Sequence, residues 1–258
     1  MIEIRSKDNP HYKLCVQLKQ KKYRDRHGLY RIEGEHLLEE ARRRDIPLRM
    51  IFVRSGRAFS EEPGWPRPYG VREELFLKIA DTETSQGLVA VAEKRSWTAE
   101  AFFAASAGKN ILLLDRLQDP GNVGAMIRTA EAAGYGGVVV MKGTGDVYSD
   151  KAVRAAAGSL FSLPVLPVDT PEEALGLLRR FEKKTVSACP EASRTYFEED
   201  LSSGIALLIG NEGGGLCAAL ADGADVKVNI PMARGVDSLN AAVAAGILMY
   251  EKERNQHR

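Results

Sequence analysis

Apolar positions along the chain switch repeatedly between a helical and an extended period. Over residues 10–26, Leu14 and Leu18 fall four apart with basic residues on the other sides, which predicts a helix. "LYRIEG" (29–34) then reads as a strand, "GEHLLEEARRR" (34–44) as a helix and "LRMIFV" (48–53) as a strand. Three prolines and two glycines make "SEEPGWPRPYG" (60–70) a loop, after which "VREELFLKIA" returns to helix and "GLVAVAEK" to strand. A linker and a helix, "TAEAFFAASAGK", lead to the strongly apolar strand "NILLLD". Beyond it the alternation is regular. Helices are expected near 122–134, 149–157, 171–181, after 215 and from 238 to about 254. Strands are expected at "GVVVMK", 164–168, "KTVSA", "GIALLIG" and "DVKVNIP". Strands that are apolar throughout belong to a sheet covered on both faces. The fold class is therefore α/β, a mainly parallel sheet flanked by helices and preceded by a small α/β domain. The expected boundaries are 1–95, a linker over 96–108, and 109–258.

Composition narrows this picture only a little. Of 258 residues 44% are hydrophobic and 28% charged, which is ordinary globular usage. No run approaches the roughly 18 apolar residues of a membrane helix, and the N-terminus has no leader-like stretch. A cytoplasmic location and no membrane partner are expected. Cys15, Cys189 and Cys217 are far apart and form no CxxC, so neither a disulfide framework nor a metal site is expected. Charge is more informative. The net charge is +1, yet residues 1–31 hold nine Lys/Arg against three acids, a local excess of six. A basic end on a near-neutral chain points to a polyanion partner, or else to a solvated helix face.

Ligands of open parallel sheets bind outside the carboxyl ends of the strands, so the loops that follow the apolar strands hold the candidate chemistry. Three stand out: "LDRLQDPGNVGAMIRTAEAAG" (114–134), "LIGNEGGGL" (208–216) and "NIPMARGVDSLNAAVAAGILMYE" (229–251). In the first, Asn122 suits a helix N-cap after the Pro-Gly turn. Arg128 falls among Ala, Met and Ile, where a charge needs a partner. In the second, Gly210, Gly213, Gly214 and Gly215 allow close approach to the backbone, and Glu212 among them is the expected partner of Arg128. In the third, Ser238 or Asp237 is the expected N-cap, with Asn240 in the first turn. Rival motifs fail. "GTGD" (143–146) lacks the third glycine of a dinucleotide fingerprint, having Tyr148 there, and neither GxxxxGK[ST] nor GxSxG occurs. His11, His27, His36 and His257 all lie outside the three loops, which argues against a histidine-based hydrolase.

Taken together, the three loops resemble motifs one, two and three of the SpoU (TrmH) family of RNA 2′-O-methyltransferases. "DKAVRAAAGSLFSLPV" (150–165) resembles the segment between the first two, so the likeness covers about 111–252. "NPHYKLCVQLKQKKYRDRHGLYRIEGEHLLEEA" and "SQGLVAVAEK" resemble the small substrate-binding domain that precedes the catalytic domain in many members. The resemblance implies a SPOUT-type C-terminal trefoil knot, S-adenosyl-L-methionine as methyl donor, no metal, and a homodimer. It implies RNA as partner and substrate, ribosomal RNA ahead of transfer RNA because the N-terminal domain is present. By the same resemblance the cofactor site falls on Gly210, Asn211, Gly213, Ile230, Met232 and Leu239. The catalytic positions fall on Asn122, Arg128, Glu212, Ser238 and Asn240. Since a guanidinium keeps its proton near neutrality, Arg128 is expected to bind the phosphate beside the target ribose, with Glu212 holding it in place. After "IPMA" the chain has Arg234 and Gly235 where many members have Gly and Ser. The alternatives are a non-catalytic RNA-binding module of the same fold and a transfer-RNA ribose methyltransferase.

Overall fold

The computed structural model describes residues 1–82, 84–236 and 238–256, so Asp237 and His257 lie outside the described residues. It divides into two compact units, one formed by Met1–Arg95 with Asp146–Ser162, the other by the remainder. In the first unit the chain runs β1 (Ile2–Ile4), α1 (Pro10–Gln17), α2 (Lys21–His27), β2 (Leu29–Glu33), α3 (Glu35–Arg43), β3 (Leu48–Arg54), β4 (Tyr69–Val71), α4 (Glu73–Ile79) and β5 (Leu88–Glu93). The strands form a mixed sheet in the order β1-β4-β3-β5-β2, parallel from β1 to β3 and antiparallel from β3 to β2. Alternate residues Met50 and Phe52 of β3 and Val89 and Val91 of β5 enter one core with Tyr12 and Cys15 of α1 and Phe76 and Ile79 of α4.

The single helix expected over 10–26 is two helices. Gln20 is extended (φ −100°, ψ 134°) and breaks the run. The carbonyls left open at Leu18 and Lys19 accept hydrogen bonds from Arg24 Nη1 at 2.7 and 2.8 Å. Arg24 is buried and spends its other donors on Asp146 Oδ2, the nearer at 2.6 Å. One arginine therefore replaces the missing helical turn, a duty that periodicity alone does not reveal.

In the second unit follow α5 (Ala99–Ala105), β6 (Ile111–Leu114), α6 (Pro120–Ala132) and β7 (Gly137–Met141). The chain then gives Asp146–Ser162, with α7 (Asp150–Ala156), to the first unit. It continues with β8 (Val165–Val168), α8 (Pro171–Arg180), β9 (Lys184–Ala188), β10 (Ile205–Ile209), α9 (Ala218–Gly223), β11 (Val226–Val228) and α10 (Ala241–Gln256). All six strands are parallel, in the order β11-β9-β10-β6-β7-β8. Every residue of β6 and β10 is buried, as their uniformly apolar sequence requires. Residues 96–108 do not behave as a bare linker, because Phe102 and Phe103 of α5 are core residues of this unit. Among the described residues no helix is long and apolar enough to cross a membrane.

The transfer of 146–162 to the first unit has an electrostatic cause. Arg31 of β2 is 2% exposed and pairs with Asp150 of α7 at 2.6 Å. Arg24 pairs with Asp146 at the same distance, and Arg154 pairs with Asp81. A buried guanidinium left without a carboxylate is costly, so these acids fix where the segment packs.

Candidate active site

Strand order reverses direction in the second unit between β6 and β10, since β7 and β8 extend one way and β9 and β11 the other. Such a switch point opens a crevice at the carboxyl ends of the strands. A cavity of about 510 Å³ lies beside it, on the β10 side, lined by residues at and after the ends of β9, β10 and β11. All six residues expected to hold the cofactor line it: Gly210, Asn211, Gly213, Ile230, Met232 and Leu239. Glu212 and Ser238 line it too, whereas Asn122, Arg128 and Asn240 do not.

The glycine loop after β10 is a closed hairpin. Asn211 and Gly215 exchange backbone hydrogen bonds at 3.0 and 2.9 Å. The Asn211 side chain organises the interior of the loop: Oδ1 accepts from the N–H groups of Gly213 and Gly214, and Nδ2 donates to the Arg116 carbonyl. Gly210 is required by space, because a Cβ there would lie 2.2 Å from the backbone of Gly215 and Leu216. Gly215 has φ +62°, the left-handed region that favours glycine.

Two caps differ from expectation, and the difference frees one side chain for chemistry. The N-cap of α6 is Asp119, whose carboxylate accepts from Gly121 N–H at 3.1 Å, with Pro120 in the first turn. Asn122 is therefore already inside the helix with its amide available. The N-cap of α10 is Asn240, which accepts from the N–H groups of Ala242 and Val243, and Ser238 lies exposed ahead of it. Asn240 Nδ2 also donates to Asn122 Oδ1 at 3.2 Å, and Asn122 Nδ2 donates to Glu212 Oε1 at 3.0 Å. An Asn240–Asn122–Glu212 chain thus ties together all three loops singled out in the sequence. Burial opposes ionisation of Glu212. Hydrogen bonds from Asn122 and from the backbone N–H groups of Glu212 and Gln118 outweigh it and hold the carboxyl below the usual glutamate value. Glu212 is an anion at neutral pH.

The expected clamp between Glu212 and Arg128 is not formed. Arg128 is exposed, and among the described residues Glu212 is held by Asn122 and by Gln118 N–H. Helical geometry gives the reason. Six residues beyond Asn122, Arg128 lies about 9 Å further along α6 and roughly 120° off the Asn122 face. The two side chains cannot serve the same carboxylate, and the guanidinium is left facing solvent.

Several contributors were not legible in the sequence. Asp115, 2% exposed at the end of β6, accepts from Cys217 N–H at 2.7 Å and from the Arg116 guanidinium at 3.0 Å. Arg116 adopts φ +54° and donates from its guanidinium to the Gly215 main-chain carbonyl at 3.3 Å, so this pair braces the first two loops against each other. The clue was an acid directly after a uniformly apolar strand. Cys189 and Glu191, which follow β9, also line the cavity, but no glycine lies near them in the sequence to draw notice. Among the described residues no group of three or more His, Cys, Asp or Glu is placed to hold a metal ion.

Residues 109–250 match the model of the SpoU rRNA Methylase family, and residues 9–90 match that of the MRM3-like substrate binding domain. The chain belongs to the SpoU rRNA methylase family. Its sequence is 36% identical to the 23S rRNA (guanosine(2553)-2′-O)-methyltransferase RlmP of Bacillus subtilis, over 97% of this chain and 98% of that one. Two solved members superpose closely along their length. The AdoMet-bound rRNA methyltransferase of Sinorhizobium meliloti gives a TM-score of 0.85 at 30% identity, covering 98% of this chain and 97% of that one. The SpoU methyltransferase AviRb of Streptomyces viridochromogenes, in complex with AdoMet, gives 0.86 at 29% identity, covering 96% and 98%. The α/β class and the resemblance read from the three loops agree with these matches.

The cavity suits the donor that those two relatives carry. Ile209, Val228, Ile230 and Leu239 give it an apolar wall for a flat base, and the glycine loop offers backbone polar groups. Glu191 and Glu212 supply negative charge for a cationic ligand.

Proposed function

We propose that this SpoU enzyme transfers a methyl group from S-adenosyl-L-methionine to a ribose 2′-hydroxyl of ribosomal RNA. The observation that carries the reading is the Asn240–Asn122–Glu212 chain, which ties the first loop to the two loops that line the cavity. When bound in that cavity, S-adenosylmethionine supplies an electrophilic methyl group on a sulfonium. The residues of this chain do the positioning, and holding reactants in register lowers such a barrier by several kcal/mol, roughly 7 or more. Gly210, Asn211, Gly213, Ile230, Met232 and Leu239 hold the donor. Arg128, exposed and charged, binds the phosphate beside the target ribose and stabilises the developing alkoxide. The hydroxyl proton is given up as the methyl–oxygen bond forms and the methyl–sulfur bond breaks, to that phosphate or to a transiently neutral Arg128. Glu212 fixes the amide of Asn122 rather than the guanidinium, so Asn122 and Asn240 present oriented polar groups to the ribose. Ser238, exposed at the cavity wall, contacts the donor or the sugar.

The finer architecture belongs to the same proposal. The SPOUT-type trefoil knot lies in the C-terminal part, where the chain after β9 and β11 forms the cavity. The enzyme is a homodimer, and the support is the face of α10, where Val243 and Tyr250 are seven apart and 52% and 48% exposed. Residues 1–95, with 146–162, form the RNA-docking unit, and the protein acts in the cytoplasm without a metal. Titration of S-adenosylmethionine into the protein, followed by transfer of tritiated methyl to ribosomal RNA, tests the reading. Absence of donor binding at millimolar concentration would reject it in favour of a non-catalytic RNA-binding module.

A further inference from the structure

We propose that a second cavity, wholly within the first unit, holds one unpaired nucleotide of the RNA substrate; the inference rests on the reading of this chain as an RNA-modifying enzyme. The cavity measures about 440 Å³, within the range of small-molecule sites. Leu14, Leu29 and Met50 provide apolar lining, and His11, His27, Arg49 and Lys94 bring positive or protonatable groups to it.

His11 is built as a stacking platform. Its backbone N–H is fixed by the Asn9 side chain at 3.0 Å, at the start of α1. Its ring stacks on Tyr69 at 5.1 Å and 28°, and Tyr69 stacks on the fully buried Phe52 at 5.5 Å and 26°. The exposed imidazole therefore ends a pile of rings anchored in the core. Unstacked RNA bases are bound on such platforms, whereas duplex RNA is read mainly through its backbone.

The charges around the cavity favour a phosphate on the same nucleotide. Glu93 also lines the cavity and pairs with Arg49, which is 65% exposed, whereas Lys94, 13% exposed, pairs with Asp25, 48% exposed; the exposed member of each pair keeps it in contact with water. Ion pairs this wet contribute little and can yield to a phosphate. Lys94 is also held over the Tyr148 ring at 4.8 Å. His27 closes α2, with Gly28 at φ +63° taking the C-cap.

The test uses the full-length protein and two fluorescein-labelled probes, a single-stranded RNA of about 12 nucleotides and an RNA duplex of the same length. Fluorescence anisotropy is read across a salt series. His11→Ala weakens binding of the single strand about tenfold and leaves duplex binding unchanged. His11→Phe, which restores a ring, recovers single-strand affinity. Arg49→Ala, at an exposed position where folding is not at stake, weakens the single strand and lowers its salt slope by about one. Wild-type affinity in both His11→Ala and Arg49→Ala would overturn the proposal. So would a nucleoside monophosphate that binds as tightly as the oligomer, which would assign the pocket to free nucleotides. Methyl transfer to ribosomal RNA by the wild-type protein keeps the two readings apart. Transfer with unaltered single-strand binding in the variants removes only the pocket; no transfer by the wild type removes the enzymatic reading.

Discussion

Gly210→Ala is the sharpest structural perturbation available in the cofactor loop. The new methyl would lie 2.2 Å from Gly215 C and Leu216 N and 2.5 Å from Gly215 O, well inside the 3.0 Å below which Cβ contacts are essentially never seen. Those atoms are backbone, so no side chain can swing away. The loop must open, and the two hydrogen bonds between Asn211 and Gly215 must lengthen or break. At about 0.5–1 kcal/mol for each bond and about 1 kcal/mol for the overpacking, the loss amounts to roughly 2–3 kcal/mol. For a unit of this size that is a fall of about 5–10 °C in melting temperature. Gly213→Ala is the control for the fold, because its Cβ would meet only Asn211 Oδ1, at an ordinary 3.6 Å. Differential scanning calorimetry should show Gly213→Ala melting close to wild type and Gly210→Ala clearly below it. Titration calorimetry on Gly210→Ala should show S-adenosylmethionine binding weakened about tenfold or more, as the loop lining the cavity shifts. Wild-type melting and wild-type donor affinity in Gly210→Ala would refute the argument that close packing at Gly210 shapes the site.

Other perturbations test separate links. Arg128→Ala should keep donor affinity, measured by titration, while the rate of methyl transfer falls at least a hundredfold, since one electrostatic donor is typically worth about that much. Asn122→Asp places a carboxylate against ionised Glu212, so turnover should fall sharply and recover partly as pH is lowered. Arg31→Ala leaves Asp150 without its buried partner and should cost about 3 kcal/mol in denaturant unfolding of the first unit. Glu199 is held below the usual glutamate value of 4.5 by a hydrogen bond from Lys184, with burial opposing and Arg194 assisting. Its stabilisation is complete above that value and lost as pH falls through the lowered one, so Glu199→Gln should flatten the acid limb of the stability curve.

Much of the second unit was legible because its strands are apolar throughout and its loops carry glycine, proline and single charges in a fixed order. The glycine loop after β10 could be read for the same reason, and the six residues expected by resemblance to hold the cofactor all line one cavity. What could not be read depended on partners distant in sequence. Arg24 holds the break between α1 and α2 only because Asp146, more than a hundred residues later, takes its charge. Asp115 and Arg116 brace the glycine loop through contacts that no local pattern shows. Asn favours helix caps, which points to Asn122, but Asp119, followed by proline, takes that role first. Pairing Arg128 with Glu212 followed charge alone and ignored the pitch of α6. The location of 146–162 also changes an obvious experiment. Deleting 1–95 would strip Asp146 and Asp150 of their arginine partners, so point substitutions in the first unit are the cleaner probe of RNA docking.

The central claim, methyl transfer to a ribose oxygen positioned by Arg128, is tested most directly by locating the product. Purified protein is incubated with tritiated S-adenosylmethionine and ribosomal RNA from cells lacking the enzyme, and the labelled RNA is hydrolysed in alkali. The account predicts label in a single alkali-resistant dinucleotide, because a blocked 2′-hydroxyl cannot cleave the chain, and loss of that label with Arg128→Ala. Label recovered in mononucleotides, on a base, or undiminished by Arg128→Ala would contradict it.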